Sequence, residues 1–261
     1  MATNGVKVLD KALFILSQFF EKDELTLKEI EEISGLNRST IYRILQAYQK
    51  WGFLEKDPNT KRYKVSIKVL EMTGSVLRKL SFLNVCRPYL LSLRDEAGES
   101  TFLAILRGLN IIIADWEISY YDAHINITVG KTVPAHCTGS GKAILAFLPP
   151  EEQENIISKI SLERYTENTI TDKEKFRKVL KVTRERGYGV SKEEYDRDIV
   201  VAAAPIFGIH NRVIASCAIA ALKSRVKNNE QIEEYGQLVI KAAAEISQKL
   251  GSTRNPISEF Q

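Results

Sequence analysis

Apolar residues recur with two different spacings along the chain. Between residues 8 and 48 they recur every three or four positions, which predicts amphipathic helices that each bury one face. Beyond residue 100, short apolar runs of strand length alternate with helical stretches. We therefore expect two domains, residues 1–66 and 82–261. A linker helix is expected over residues 67–81, where the helical spacing continues.

The first domain is expected to contain two short helices joined by a glycine turn. Thr26, followed three residues later by Glu29, has the capping-box pattern that begins a helix, and Ser34-Gly35 ends it. Asn37 is a suitable N-cap for the next helix. The residues predicted to pack are Val8, Leu9, Ala12, Leu13, Ile15, Leu16 and Phe19 on a preceding helix, Leu27, Ile30, Ile33 and Leu36 around the turn, and Ile41, Ile44, Leu45 and Tyr48 on the second helix.

A basic hairpin follows the second helix. Residues 53–56 and 61–65 flank Asp57-Pro58-Asn59-Thr60, which has the composition of a turn. Lys+Arg outnumber Asp+Glu by 7 to 2 within residues 36–64, against 11 to 9 over residues 1–66, so the positive charge is concentrated here. Two helices, a glycine turn and a basic two-stranded wing together predict a winged helix-turn-helix that binds DNA.

A solvated basic face is the alternative explanation of this charge, and the helix pair and wing in register favour DNA over it. Arg38 and Arg43 are suited to guanine edges or phosphates and Gln46 to adenine. The wing cations are suited to the DNA backbone or the minor groove. The candidate DNA-binding residues are Thr26, Arg38, Ser39, Thr40, Tyr42, Arg43, Gln46, Lys61, Arg62 and Lys64.

The second domain has the pattern of an α+β fold. A helix is expected to open at Arg87-Pro88 and to end at Gly98. Strand runs joined by short hairpins predict a mostly antiparallel sheet with flanking helices. Strands are predicted over residues 101–106, 110–116, 124–129, 188–191, 199–207 and 213–222, and helices over residues 140–148, 151–160, 172–186 and 229–250.

The segment 130–143 invites three specific chemistries, each with a weakness. A nucleotide-phosphate loop is disfavoured because His136 stands where its first glycine belongs and Ala143 replaces the magnesium-binding hydroxyl. A cysteine nucleophile at Cys137, beside His136, lacks an evident orienting carboxylate. A metal site from His136, Cys137 and Cys217, with or without His124, has no ligand pair at metal-motif spacing.

A fourth interpretation concerns the turn Thr138-Gly139-Ser140. Its free backbone N–H groups, at the positive end of a helix, would attract a small anion such as a carboxylate. A plain helix cap beside a core histidine explains the same residues equally well. Residues 191–198 mix acids and bases before a buried strand, and a solvated loop is favoured there.

The composition is ordinary for a soluble globular protein, with 44% hydrophobic and 27% charged residues and a net charge of +4. No apolar run approaches the ~18 residues of a membrane span, and no signal region is evident at the N-terminus. Cys86, Cys137 and Cys217 are scattered, which indicates a reducing compartment rather than a disulfide framework. We expect a cytoplasmic protein that needs no cofactor and contacts no membrane.

Several segments match one protein family in order and spacing. They are residues 8–13 and 36–45 in the first domain, and Gly130, 133–143, 186–188, 193–195 and 202–207 in the second. On these segments the chain resembles the IclR-type transcriptional regulators of bacteria and archaea. The resemblance implies a winged helix-turn-helix joined by a linker helix to a GAF-like effector domain. It also implies a homodimer or homotetramer on a palindromic double-stranded DNA operator.

The resemblance further implies that a small organic effector, a carboxylic acid or an aromatic metabolite, binds in the second domain. The matching pocket positions are Ile125, Val133, His136, Gly139, Ser140, Ser191, Val201, Ala218 and Ala220. Members that bind small keto acids tend to place an acid where Ser191 lies and hydroxyls at Ala218 and Ala220. The residues here suggest a bulkier, more hydrophobic acid. Asp198 takes the place of the usual glycine before the late strand.

Two other classes of function remain to be weighed against a regulator. One is a hydrolase that uses His136 and Cys137, through a metal or a thiolate, and the other is a scaffold whose basic domain binds RNA or a protein partner. The combined pattern favours a DNA-binding regulator without enzymatic activity.

Overall fold

The computed structural model describes residues 7–254 except 21, 70, 72–81, 124 and 126. The chain divides into two compact units, Met1–Leu80 and Ser81–Gln261. Of the expected linker helix, residues 69 and 71 are helical, and the stretch 72–81 lies outside the described residues. No helix among the described residues is long and apolar enough to cross a membrane.

The first unit is a winged helix-turn-helix, as predicted. Its helices are α1 (Lys7–Ser17), α2 (Leu27–Ser34) and α3 (Arg38–Trp51), and its strands are β1 (Glu24–Leu25), β2 (Leu54–Lys56) and β3 (Tyr63–Val65). The strands form an antiparallel sheet in the order β1-β3-β2. The two-residue strand β1 was not predicted. It adds a third strand to the hairpin by pairing Leu25 with Tyr63.

Local signals set the helix ends of this unit. The Thr26 hydroxyl accepts the Glu29 N–H while the Glu29 carboxylate accepts the Thr26 N–H, so the capping box is complete. Gly35 takes the left-handed conformation (φ 62°) that ends α2. The Asn37 side chain accepts the Thr40 N–H and caps α3. These three features were predicted from the sequence and are confirmed.

Part of the predicted core of the first unit is wrong. Ile33 is 36% exposed. Residues spaced by three shift about 60° around a helix at each step, so Ile33 lies about 120° from Leu27 and outside the buried face. Leu9 and Leu13 are also exposed, on the side of α1 away from the buried Ile15, and Val8 is exposed in the first turn of the helix. A helix that is apolar on two sides can bury only one of them within so small a unit.

The second unit is a six-stranded antiparallel sheet covered by helices on both faces. Its strands are β4 (Ser100–Arg107), β5 (Asn110–Glu117), β6 (Thr132–Pro134), β7 (Gly189–Lys192), β8 (Ile199–Phe207) and β9 (Val213–Leu222), in the order β6-β5-β4-β9-β8-β7. The helices are α4 (Phe82–Ala97), α5 (Gly139–Ala146), α6 (Pro150–Lys159), α7 (Lys173–Arg186) and α8 (Asn229–Lys249).

Two hydrophobic clusters lie on opposite faces of this sheet. One packs α4 and α8 against alternate residues of β8 and β9, such as Ala202 and Ile219. The other packs α5, α6 and α7 against the intervening residues, such as Ala203 and Ala218. Because β8 and β9 are buried on both faces, their residues are apolar almost without interruption, as the sequence predicted.

Two predicted elements of the second unit were placed incorrectly. Ile125 and Ile127 lie in no strand, and the strand that pairs with β5 is Thr132–Pro134. Residues 124 and 126 of that prediction lie outside the described residues. The helix expected to open at Arg87 is already helical at Phe82, so Pro88 lies inside it. Helices tolerate proline best in their first turn, so the sequence-based prediction placed the start of this helix too late.

Candidate functional site

The polar face of α3 is exposed along the length that was predicted to touch DNA. Arg38, Ser39, Arg43 and Gln46 are exposed, and Tyr42 is 47% exposed. On the opposite face Ile41, Ile44 and Leu45 are buried against α1, α2 and the sheet. The helix is therefore held by its apolar side and presents donors and cations on the other, the arrangement that a recognition helix needs to enter a major groove.

A cleft of about 730 Å³ joins the start of α3 to the start of α2 and to the wing. It is lined by Thr26, Leu27, Lys28, Arg38, Ser39, Tyr42, Lys56, Lys61 and Tyr63. Four cations therefore share one concave surface, the charge distribution expected for phosphate contact. Lys28 and Lys56 were missed in the sequence. The signal for Lys28 was its position in the first turn of a capped helix beside the basic hairpin.

The remaining predicted DNA-binding residues have partners inside the unit. The Thr26 hydroxyl is held by the capping box, and the Thr40 N–H by Asn37. Arg62 Nη1 lies 3.4 Å from a Glu29 carboxylate oxygen and from the Glu24 carbonyl oxygen. Lys64 Nζ lies 3.3 Å from Glu55. These pairs offset the positive charge of Arg62 and Lys64, whereas Lys61 Nζ donates to the uncharged carbonyl oxygen of Pro58 at 2.5 Å.

A partly enclosed cavity of about 80 Å³ lies in the second unit between the sheet, the turn before α5 and the β7–β8 loop. Five of the nine predicted effector-binding residues line it: Ile125, Val133, Ser191, Val201 and Ala220. Sequence reasoning missed the others, which are Phe102, Ile111, Ile113, Ile127, Lys131, Cys137, Thr138, Tyr195, Asp196 and Ile199. Strand alternation on β4 and β5 could have identified Phe102, Ile111 and Ile113.

The hydroxyl groups of Ser191 and Thr138, which line this cavity, are already hydrogen-bonded. Ser191 Oγ donates to the Cys137 carbonyl oxygen at 3.0 Å. Thr138 Oγ1 accepts the Gly141 N–H at 3.1 Å, which is a plain helix cap. The charged groups, Lys131 and Asp196, are exposed, and Lys131 Nζ lies 5.9 Å from the centre of the Tyr195 ring. The cavity therefore has an apolar interior and charges at its rim.

Four predicted effector-binding residues do not line the cavity: His136, Gly139, Ser140 and Ala218 are buried in the core. His136 donates through Nε2 to the Glu163 carbonyl oxygen at 3.0 Å, and burial lowers the pKa of its imidazole. A Cβ on Gly139 would lie 2.9 Å from the Val201 carbonyl oxygen. That glycine thus serves close packing of α5 on the sheet.

The groups proposed for hydrolysis are poorly disposed for it. Burial raises the pKa of the Cys137 thiol to about 12, so the thiolate nucleophile is scarce at neutral pH. Cys217 Sγ donates to the Val239 carbonyl oxygen in the other hydrophobic cluster. Within the part of the chain that the structure describes, which excludes His124, no three His, Cys, Asp or Glu residues are grouped to hold a metal ion.

The chain matches two family descriptions in succession. Residues 8–58 match the IclR helix-turn-helix domain, and residues 74–248 match the C-terminal part of the bacterial transcriptional regulator IclR. The transcriptional repressor IclR of Escherichia coli is 29% identical over 256 residues, which cover 97% of this chain and 93% of that protein.

Solved structures agree with the fold. The IclR structure from Thermotoga maritima is 28% identical, with a TM-score of 0.76 over 94% of this chain and 99% of that one. An IclR homologue from Microbacterium hydrocarbonoxydans, solved with 4-hydroxybenzoate, is 22% identical, with a TM-score of 0.78 over 93% of this chain and 98% of that one. These families comprise regulators rather than enzymes, so a hydrolase is not supported. The chain belongs to the IclR family of DNA-binding transcriptional regulators, with a C-terminal effector-binding domain.

Proposed function

We propose that α3 enters the major groove of an operator and that the cationic cleft of the first unit binds the adjacent phosphates. The exposed polar face of α3 is the observation that carries this proposal, since buried Tyr42 and Arg43 would have excluded it. Arg38 and Arg43 are assigned to guanine edges or phosphates and Gln46 to adenine. Lys28, Lys56 and Lys61 are assigned to phosphates, which set the register of the protein on the duplex.

Operator binding by Arg43→Ala tests this assignment. Fluorescence anisotropy with a duplex from the chain's own promoter region should show a loss of about 1–3 kcal/mol in binding free energy if Arg43 reads a guanine. Arg107→Ala is a matched control, because Arg107 is exposed at the end of β4 in the other unit. Equal losses in both variants, or equal binding of single-stranded competitor, would contradict the proposal.

The effector whose chemistry best matches the lining of the cavity is an organic acid with an apolar or aromatic body. Phe102, Ile111 and Ile113 offer an apolar wall, and Lys131 is the cation at the rim that can pair with a carboxylate. A two-carbon acid would leave polar groups unpaired against this wall, which is costly. The 4-hydroxybenzoate bound by the Microbacterium relative belongs to the proposed class of ligand.

Calorimetry can decide the class of effector. We expect 4-hydroxybenzoate or another aromatic acid to bind the full chain, and glyoxylate to bind at least about tenfold more weakly, a difference of 1.4 kcal/mol. Lys131→Met should weaken binding of the aromatic acid and leave operator binding unchanged. A screen in which only two- or three-carbon acids bind would refute this choice of effector.

Self-association through α1 follows from the exposed apolar side of that helix. Leu9 and Leu13, four residues apart, share one side of α1 and are exposed although they are apolar, and a second copy of the same helix would cover them. A dimer would also present two copies of α3 to successive major grooves of a palindromic operator. We therefore assign α1 to a homodimer contact.

A further inference from the structure

The loop between β7 and β8 forms one wall of the cavity in the second unit. We call residues 193–198 the access loop. Its Tyr195 and Asp196 line the cavity. It begins at Glu193 and ends at Asp198, whose φ angles of 56° and 63° lie in the left-handed region. Residues other than glycine adopt that region rarely, and such positions cluster at switch regions and ligand clamps.

A buried ion pair ties the access loop to α5. Lys142 of α5 is 1% exposed, and its Nζ donates to both carboxylate oxygens of Glu194 at 2.5 Å and to the Val190 carbonyl oxygen at 3.0 Å. Burial lowers the pKa of the Lys142 ammonium, and the negative charge of Glu194 opposes that shift. Neither charge is tolerated alone in such a place, so each depends on the other.

The two halves of the access loop are held unequally. Thr166 Oγ1 and Thr169 Oγ1 donate to the carbonyl oxygens of Glu193 and Glu194, both at 2.6 Å. The second half is exposed from Asp196 onward. Its Arg197 pairs with Glu167 only at 3.7 Å, between two exposed side chains, a contact of small energy. The far end of the loop is held where the Lys223 N–H donates to the Asp198 carbonyl oxygen at 2.6 Å. The carboxylate of Glu194 is therefore the buried charge that fixes the loop just before the part that lies over the cavity.

The cavity is too small for the proposed effector as it stands. Its volume of about 80 Å³ compares with roughly 150 Å³ for a cavity that binds benzene. Its other walls are mainly strands of the sheet, which cannot shift without breaking ladder hydrogen bonds. The walls outside the strands are the segment of Ile125 and Ile127, the turn before α5 and the access loop. The access loop is bonded to the sheet only at its ends, so it is a wall that can move.

Space for that movement lies behind the ion pair. A groove of about 850 Å³ runs along β7 between α7 and the start of α8, and Lys142, Glu193 and Glu194 all line it. Glu194 thus stands between the cavity, which its neighbour Tyr195 lines, and an open groove into which the loop can swing.

From this geometry we infer that the access loop is the movable wall of the cavity and that Lys142 and Glu194 are the positioning residues that hold it closed. The strength of this pair then sets how readily an effector enters and leaves. The inference rests on the proposed function only in treating the cavity as the effector site.

Labelling of the three cysteines tests loop opening without any effector. Cys137 lines the cavity, whereas Cys86 and Cys217 are buried in the other hydrophobic cluster. Full-length wild-type protein, Glu194→Gln and the double variant Lys142→Met/Glu194→Gln would be treated with methyl methanethiosulfonate, and each cysteine followed by peptide mass spectrometry. Glu194→Gln alone leaves the buried Lys142 without its charged partner, which can unfold the protein. The double variant removes both charges, so it stays folded even if the single variant does not.

We expect the rate of Cys137 labelling to rise at least about tenfold in the variants, with Cys86 and Cys217 unchanged, since local opening exposes only its own segment. Hydrogen exchange of residues 193–198 should rise in parallel. Glu152→Gln, which removes the surface pair with Arg212, is the matched control and should leave all rates as in the wild type.

Two results would overturn the inference. One is an unchanged rate of Cys137 labelling in a folded variant. The other is equally faster labelling of all three cysteines, which would mean that the Lys142–Glu194 pair supports the whole core. Both readouts are independent of DNA and effector. Failure of the proposed function would instead appear as absent operator binding or absent acid binding in the wild type, so the two failures are distinguishable.

Discussion

Glycines let α5 pack more closely against the edge strand β7 and against the preceding turn, residues 135–137, than any side chain would allow. A Cβ on Gly141 would lie 2.1 Å from the Ala135 carbonyl oxygen, and one on Gly189 would lie 2.3 Å from the Gly139 carbonyl oxygen. This close approach brings Thr138 to the cavity and Lys142 to Glu194. The glycine-rich turn therefore acts on the site through packing and not by binding an anion itself.

Gly141→Ala should destabilise the second unit by about 3 kcal/mol or more, because its Cβ meets a backbone atom that cannot rotate away. Denaturant unfolding can be followed through Trp116 in a Trp51→Phe background, since each unit holds one of the 2 tryptophans. Gly108→Ala is the control: its Cβ meets nothing within 4 Å and its cost of about 1–2 kcal/mol comes from φ alone. Similar losses in both would contradict the packing argument.

His136 contributes a pH-dependent term to stability. Burial holds the pKa of its imidazole below the usual 6.5, so the unfolded chain takes up a proton that the folded chain excludes. The free energy of unfolding should therefore fall as pH drops below 6.5, by at most about 1.4 kcal/mol per pH unit, until the lowered pKa is reached.

His136→Gln isolates this term, because the Gln amide can still donate to the Glu163 carbonyl oxygen. The difference in unfolding free energy between wild type and variant, measured from pH 8 to pH 5, should shrink or reverse in favour of the variant at low pH. A difference that is constant with pH would mean that the imidazole of His136 has the same pKa in the folded and the unfolded chain.

At the scale of elements, prediction succeeded where the determinants are local. The caps at Thr26, Gly35 and Asn37 act within four residues, so sequence alone located α2, α3 and the turn between them. The strand predicted at 124–129 failed because alternating apolar residues serve a cavity wall as well as a sheet. Whether Ile125 and Ile127 pair with β5 depends on competition with residues 132–134, which local pattern does not reveal.

The residues of the candidate cavity were also predicted only in part. Val201 and Ala220 were predicted from the resemblance to family pockets, and they pair directly across β8 and β9. Ala218 shares that face but lies farther along the strand, in the hydrophobic cluster that includes α5. The Lys142–Glu194 pair was not foreseen, because 52 residues separate its partners. A single lysine inside an apolar helix was the available signal.

The exposed side of α1 makes a prediction about assembly. Leu13→Glu places a charge in the proposed dimer contact, and we expect the dimer dissociation constant from sedimentation equilibrium to rise at least about tenfold. Val182→Glu is a matched control, because Val182 is a half-exposed apolar residue on α7 of the other unit. If Leu13→Glu assembles like the wild type, α1 is not the contact.

At the scale of the whole molecule, regulation requires a free-energy coupling between two units that each have their own core. An effector changes operator affinity only if it binds one DNA-binding geometry more tightly than the other. The coupling is reciprocal, so operator DNA must change effector affinity by the same factor. Filling the cavity should therefore abolish the change in operator affinity that the effector causes, while the DNA-binding surface stays intact.

Ala220→Leu makes that separation measurable, because Ala220 lines the cavity and is itself 2% exposed. The added carbons occupy part of the 80 Å³, so the fold should lose no more than about 1–3 kcal/mol. We expect operator affinity without effector to match the wild type within about threefold. We also expect the affinity for 4-hydroxybenzoate, and the change it causes in operator affinity, to fall at least about tenfold each. A variant that still responds fully to the acid would mean that the effector binds outside this cavity. A variant that loses operator binding altogether would mean that the cavity wall itself supports the DNA-binding form.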